Sequence, residues 1–240
     1  MDSQLYDMLF IDIETAAQKP DFEQLPDRLK PLWQKKALQL RNEEELSPEA
    51  LYTERAAIYA EFGQVICIGL GFIYAKNGVP NLRIKTLHGT HERDVLNQFL
   101  EILAAHKAKD RLLLCAHNGK EFDFPYLCRR LLINGLALPP VLNLSGKKPW
   151  QIQHIDTMEM WKFGDYKSYT SLDLLAAIFD IPSSKSDIDG SAVSHVFHAE
   201  KNLQKIAEYC AKDVLVLTQL YLRLHAMPCI PSEHIEMQTF

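Results

Sequence analysis

Hydrophobic positions along the chain fall into two kinds of run, some strand-like and some recurring at helical spacing. Leu9-Phe10-Ile11-Asp12-Ile13-Glu14-Thr15 is apolar until it meets two acids. A strand sends residues i and i+2 to one face. Leu9, Ile11 and Ile13 therefore share one side, and Phe10, Asp12 and Glu14 the other. Residues 64–75 form a second, strongly apolar strand, Asn77-Gly78 is a hairpin signal, and the alternating 82–87 is the return strand after a loop slightly longer than the tightest turn. Residues 111–116 and 152–158 are the remaining predicted strands, the last ending near Asp156. Helical periodicity covers 29–41, 48–62, 90–107, 124–134, 171–179 and 203–224.

The order of these elements, β-β-β-α-β-α-β-α-α, predicts an α/β fold with three layers around a mixed sheet. One domain is expected over 1–240, with 227–240 as a C-terminal tail. Residues 16–62, with Pro20, Pro26, Pro31 and Pro48, read as an insertion between the first two strands that has too few large apolar side chains to carry its own core. Within it Ser47 is the expected N-cap of a helix with Pro48 at its first position, and Gly63 the expected stop.

Composition narrows the class. The chain is 47% hydrophobic and 24% charged, as soluble globular proteins are. No stretch approaches the ~20 apolar residues that span a bilayer. The acidic start, Met1-Asp2-Ser3-Gln4, lacks the features of a signal peptide, so no membrane association and a cytoplasmic location are expected. The five cysteines (Cys67, Cys115, Cys128, Cys210 and Cys229) form no Cys-x-x-Cys pair and read as core residues, not as a disulfide framework or zinc site. A net charge of −5 does not advertise nucleic-acid binding, although divalent cations in a carboxylate cluster would change the local field.

Three groups carry candidate chemistry. Asp12 and Glu14 place two carboxylates side by side, where each raises the other's pKa unless a cation lies between them. His117-Asn118-Gly119-Lys120-Glu121-Phe122-Asp123 leaves a strand for a helix, and ligand sites of α/β sheets lie at such carboxyl ends; Asp123 is equally a helix N-cap. Tyr209 and Asp213 lie four apart on the last helix and share a face. That pair reads either as a simple hydrogen bond or as part of a site, because an acid on a mostly buried helix is costly unless paired or metal-bound.

Taken in this order, Asp-x-Glu, Asn-x-x-x-Phe-Asp and Tyr-x-x-x-Asp resemble the three exonuclease motifs of the DEDD superfamily, in its tyrosine variant. FDFPYL and EYCAKD look more narrowly like the proofreading 3′–5′ exonuclease domain of family-B DNA polymerases. The likeness runs from about Asp7 to His225, without a polymerase domain. It implies a ribonuclease H-like fold and a metal-dependent 3′–5′ exonuclease that cuts DNA, single-stranded by expectation, with two Mg2+ or Mn2+ ions. By the same resemblance Asp12, Glu14, Asp123 and Asp213 are metal ligands and Tyr209 aims the attacking water. Asn118, the backbone at Thr15, and Phe122 are the implied contacts to the terminal nucleotide. An exoribonuclease of the same superfamily and a non-catalytic module that binds nucleic-acid ends are the alternatives.

A single-stranded substrate needs aromatic platforms and positive charge. Phe122, Phe124, Trp150, Trp161, Phe163, Tyr166 and Tyr169 are the aromatic candidates, with Lys147, Lys148, Lys162 and Lys167, and residues 162–170 are the best groove candidate. His195 and His198 read as a solvated pair before a metal pair. His117 reads as a phosphate contact or a packed core residue. Asp156, Asp187 and Asp189 are expected in turns or at the surface.

Overall fold

A computed structural model describes residues 3–108, 111–165, 169–182 and 188–238. Its strands are β1 (Met8–Ala17), β2 (Gly63–Lys76), β3 (Val79–His88), β4 (Leu113–Ala116), β5 (Ile155–Asp156) and β6 (Ile235–Gln238). They form one six-stranded sheet in the order β5-β4-β1-β2-β3-β6. β1 pairs antiparallel with β2 and parallel with β4, so the sheet is mixed as expected.

The alternation along β1 assigns its two faces correctly. Leu9, Ile11 and Ile13 enter a core with Val95 and Phe99 of α3 (Glu92–Ala105) and Leu127 of α4 (Asp123–Ile133). Phe10 packs on the opposite face against Val214, Leu217 and Tyr221 of α8 (Leu203–Leu224). The result is a helix layer, a sheet and a second helix layer.

Gly69 and Gly71 of β2 set how closely α8 approaches. A Cβ on Gly69 would stand 2.7 Å from Val214 Cγ2 and 2.8 Å from Cys210 Sγ, and one on Gly71 2.7 Å from Val214 Cγ1. The backbone there is bare because the helix occupies that space.

Several expected boundaries move. The hairpin is tighter than anticipated: Lys76 pairs with Val79, leaving only Asn77 and Gly78 in the turn, both with positive φ (52° and 78°). That backbone matches the twist of the strands it joins. The strand expected over 152–158 is only Ile155–Asp156, because Asp156 caps a helix, α5 (Thr157–Lys162). Residues 227–240 contain a strand, since β6 pairs with β3 from Leu82 to Lys85.

The segment between β1 and β2 also differs. Ser47 caps α2 (Pro48–Arg55) as expected, accepting from the Ala50 N–H at 3.2 Å. The helix ends at Arg55, however, and Gly63 opens β2 where it was expected to stop a helix. The segment does gather a cluster of its own. Trp33, on α1 (Lys30–Ala37), donates to the Pro48 carbonyl at 2.7 Å and sits 5.3 Å from the Tyr52 ring and 5.0 Å from Phe62. Few large side chains suffice because four of them are aromatic: Phe22, Trp33, Tyr52 and Phe62.

A buried ion pair ties this segment to the rest. Arg130 Nε donates to Glu92 Oε1 at 2.7 Å and Nη1 to the Ala60 carbonyl at 2.8 Å, while Glu92 Oε1 accepts from the Val65 N–H at 2.7 Å. Both charges are desolvated, so the pair holds because its hydrogen bonds are met. Among the described residues no helix is long and apolar enough to cross a membrane.

Candidate active site

β1 delivers Asp12 and Glu14 from the middle of the sheet toward α8. Asp12 is the register partner of Gly69 and Glu14 that of Cys67, and the ladder shifts register between Glu14 and Thr15. Because Gly69 lets α8 close in, Cys210 of that helix meets Asp12: its thiol donates to Asp12 Oδ2 at 3.5 Å. Asp12, Glu14 and Cys210 present ligand atoms within 4.8 Å of one another. The Asp12 and Glu14 carboxyl groups hydrogen-bond to each other.

Tyr209 and Asp213 project from the same face of α8, and the phenol hydrogen-bonds to the carboxylate. The hydrogen-bond reading of this pair is therefore met, and Asp213 also stands close enough to raise the proton affinity of Asp12 and Glu14. Asp123 arrives from the opposite side. It is only 4% exposed and does not cap α4, whose N-cap is Phe122. Its Oδ1 instead accepts from the Ile13 N–H at 3.2 Å. β4 pairs with β1 only as far as Phe10; beyond that, Asp123 takes up a backbone donor of β1 that no strand satisfies.

The electrostatics follow from burial and like charge. Burial, then the Asp213 and Asp123 charges, hold the Asp12 proton well above the ordinary carboxylate range. Burial and the neighbouring Asp12 do the same for Glu14. Burial pushes Asp123 up to about 7, with Asp156 adding to it. Burial lifts Asp213 to about 6 against the hydrogen bond from Tyr209. The Tyr209 phenol is driven far up by burial and the Asp213 charge. Four carboxyl groups that resist ionisation together are a site short of positive charge. Their hard oxygen donors fit a divalent cation of the Mg2+ or Mn2+ kind. Asn118 Oδ1 is buried with no partner, a further oxygen available to a ligand.

The loop holding Asn118 is organised by Asp156. That residue is 3% exposed, not in a turn or at the surface as expected. Its carboxylate accepts from the N–H groups of Asn118 at 2.9 Å, Lys120 at 3.1 Å, Met158 at 3.0 Å and Glu159 at 3.3 Å. It thus caps α5 and folds the loop after β4 in one stroke. Asn118 is held at φ 61°, and Gly119 is obligatory, since a Cβ there would stand 2.3 Å from that of Ala116. His117 bonds to Thr157 Oγ1 and the Thr170 carbonyl, both at 2.9 Å, so it is a packed residue with no ring nitrogen left for phosphate. Asp156 acts over 36 to 38 residues of sequence, which explains why local spacing did not reveal it.

The remaining candidates divide. The Thr15 side chain lies on the α4 side, bonded to the Tyr126 hydroxyl, which leaves only its backbone toward the acids. Phe122 is partly buried, 5.3 Å from the Tyr126 ring. Phe124 is core, and Trp161 packs against Phe179 at 5.7 Å. Trp150, Phe163 and Tyr169 are exposed, with Lys148 Nζ 5.1 Å from the Trp150 ring. Phe163 is 88% exposed in a left-handed conformation at φ 43°. Lys147 is exposed and Lys162 half-buried. Tyr166, Lys167 and Asp187 lie outside the described residues. Asp189 is exposed and bonded to Ser191, as a turn acid should be. His198 bonds to the Ala17 carbonyl at 2.8 Å, so it is not simply solvated. The five cysteines are free.

Comparison with known proteins gives three findings. A family described as predicted 3′–5′ exonucleases related to the exonuclease domain of PolB matches residues 59–236. A DNA polymerase of Pyrococcus glycovorans is 23% identical over 145 residues, and DNA polymerase 1 of Pyrococcus abyssi 24% over 143; each alignment covers 54% of this chain and 18% of the relative. The chain thus spans under a fifth of the length of these relatives. The family B DNA polymerase of Pyrobaculum calidifontis superposes with a TM-score of 0.54 at 16% identity, over 90% of this chain and 24% of that one. The shared architecture is the expected ribonuclease H-like one, a mixed sheet flanked by helices.

Proposed function

The chain belongs to the family of predicted 3′–5′ exonucleases related to the exonuclease domain of PolB, and from that premise we propose that it hydrolyses the terminal phosphodiester at the 3′ end of DNA, with single strands as the preferred substrate. The observation that supports the reading is the buried, adjacent pair Asp12 and Glu14, whose proton affinity the Asp213 and Asp123 charges raise further. Asp12, Glu14 and Asp213 would hold one cation and Asp123, with Asp12, a second. Divalent cations bound there supply Lewis-acid activation of the attacking water and of the leaving oxygen.

The chain's own residues account for the rest. Tyr209, with its proton held tightly, serves as a hydrogen-bond donor and not as a base at neutral pH. It donates to Asp213 and, with substrate present, orients water at the scissile phosphate. The unpartnered Asn118 Oδ1 accepts a hydrogen bond from the terminal nucleotide. The backbone at Thr15 and the half-buried Phe122 ring border that nucleotide. The exposed Phe163, Tyr169 and Trp150 offer stacking surfaces farther along the strand.

Single-stranded DNA and RNA labelled at the 5′ end, incubated with Mg2+ or Mn2+, test this. Stepwise shortening of DNA from the 3′ end that disappears in Asp12→Ala is the expected result. Tyr209→Phe should cut slowly while still binding Mn2+. Shortening of RNA alone would assign the enzyme to ribonucleic acid, and no shortening of either polymer would leave a binding module.

A further inference from the structure

A cleft of about 610 Å3 opens beyond the end of β1, where α2 faces the segment leading into α8. Thr53 and Arg55 line one wall, and Ser191, Ser194, His195 and His198 the other. The second wall is fixed to β1 itself. Ser194 Oγ accepts from the Ala17 N–H at 3.2 Å, and His198 Nε2 donates to the Ala17 carbonyl at 2.8 Å. Side chains thereby satisfy the last residue of the strand on both its backbone groups.

The wall has an unusual backbone. A short helix, α7 (Val193–His195), runs into a π-helical turn, Val196–Glu200, which ends on Lys201 at φ 55°. Such turns are rare and cluster at functional sites. This one contains His198 and directly follows His195, and both histidines line the cleft together with Arg55.

The chemistry of the lining is that of an anion site. Arg55 forms no ion pair among the described residues, and the exposed His195 side chain has no hydrogen-bond partner there. Glu54, exposed at the rim, is the single acid among the lining residues. The Ser191 hydroxyl is already given to Asp189, which leaves Arg55, the His195 ring and the Thr53 and Ser194 hydroxyls as donors around one opening. The location adds a direction: Ala17 lies three residues past Glu14 along β1, a distance of about 10 Å at strand rise.

We propose that this cleft binds the phosphodiester backbone of the substrate strand, a few nucleotides away from the scissile bond; the identity of that strand rests on the exonuclease reading. Arg55 holds one phosphate by charge and hydrogen bonding, His195 offers it a ring N–H, and the Thr53 hydroxyl reaches a remaining oxygen. The catalytic cluster then grips the terminal nucleotide while the cleft fixes the direction of the strand behind it. Arg55, which forms no ion pair among the described residues, is the cation the strand meets there.

Equilibrium binding of a fluorescein-labelled twelve-nucleotide oligothymidylate, in EDTA so that nothing is cut, tests the cleft. Arg55→Ala combined with His195→Ala should weaken binding about tenfold and make the slope of log affinity against log salt shallower by about 0.7 for each phosphate no longer neutralised. Arg55→Lys should keep most of the slope, which a purely structural role would not require. An unchanged slope and affinity, or no binding by the unmodified chain, overturns the proposal. A chain that shortens DNA but shows no change in slope would refute the cleft alone. A chain that binds with the expected slopes but cuts nothing would refute the nuclease reading alone.

Discussion

Asp12 and Gly69 face each other across two antiparallel strands, and the missing side chain of one is what admits the helix that completes the site of the other. Gly69→Ala should therefore act on chemistry through packing. The added methyl must displace Val214 and Cys210, so α8 moves away from β1. Overpacking of this kind costs about 1–3 kcal/mol. Nuclease activity should fall by more than that loss of stability explains, because Tyr209 and Asp213 leave with the helix. Thermal unfolding and a nuclease assay on the same preparation would read both; full activity would show that the close approach is not needed.

Asp123 has two duties that can be separated. Its Oδ1 completes the hydrogen bonding of β1 through Ile13, and its charge belongs to the cluster. Asp123→Asn keeps an acceptor and should retain near-normal stability while nearly abolishing cleavage. Asp123→Ala should also leave the buried Ile13 N–H unpaired, at a cost of about 1–3 kcal/mol. Equal unfolding midpoints for the two variants in urea would refute this division.

The acids make cation-free stability depend on pH in an unusual direction. For Asp12, Glu14, Asp123 and Asp213 the folded state holds protons more tightly than the unfolded one, whose carboxyl groups titrate near ~4. Their contribution is greatest below that value and is lost as the pH rises through about 6 to 7, where Asp213 and Asp123 ionise. Added Mg2+ or Mn2+ requires ionised ligands, so the increase in Tm that it causes should be slight at pH 5 and large at pH 8. Melting curves in EDTA and in metal across this range provide the check. A metal shift independent of pH would mean the cation binds elsewhere.

Asp156 should prove more damaging to remove than any acid of the cluster. Four backbone donors depend on it. Asp156→Ala should cost about 2–4 kcal/mol and lower kcat as the Asn118 loop loosens, although Asp156 is not assigned to a cation. A variant that unfolds like the parent would show that the loop holds its shape without it.

What the sequence disclosed and what it hid differ in physical kind. Asp12, Glu14, Tyr209 and Asp213 were legible because strand alternation and helix periodicity decide which way a side chain points. α8 was delimited correctly because its apolar pattern is long and its ends are well marked. Asp156 was hidden because its partners are other segments' backbone N–H groups, which leave no trace in spacing. Gly69 was hidden because its role is to lack atoms opposite a helix more than a hundred residues later. β6 is four residues long after a proline-rich connection and is a strand only because β3 has an edge to offer. The segment around Trp33 looked too poor in apolar residues, since counting side chains undervalues four aromatic rings packed edge to face.

The acids of the cluster stand at positions 12, 14, 123 and 213, and α8, which brings the last of them, packs on β1, β2 and β3. A chain emerging from the ribosome exposes its first strand long before that helix exists. Until then Asp12 and Glu14 lack the covering and the Asp213 charge that raise their proton affinity. On the proposed exonuclease reading, translation itself would act as a safety catch: competence to attack nucleic acid would wait until α8 has been made and docked.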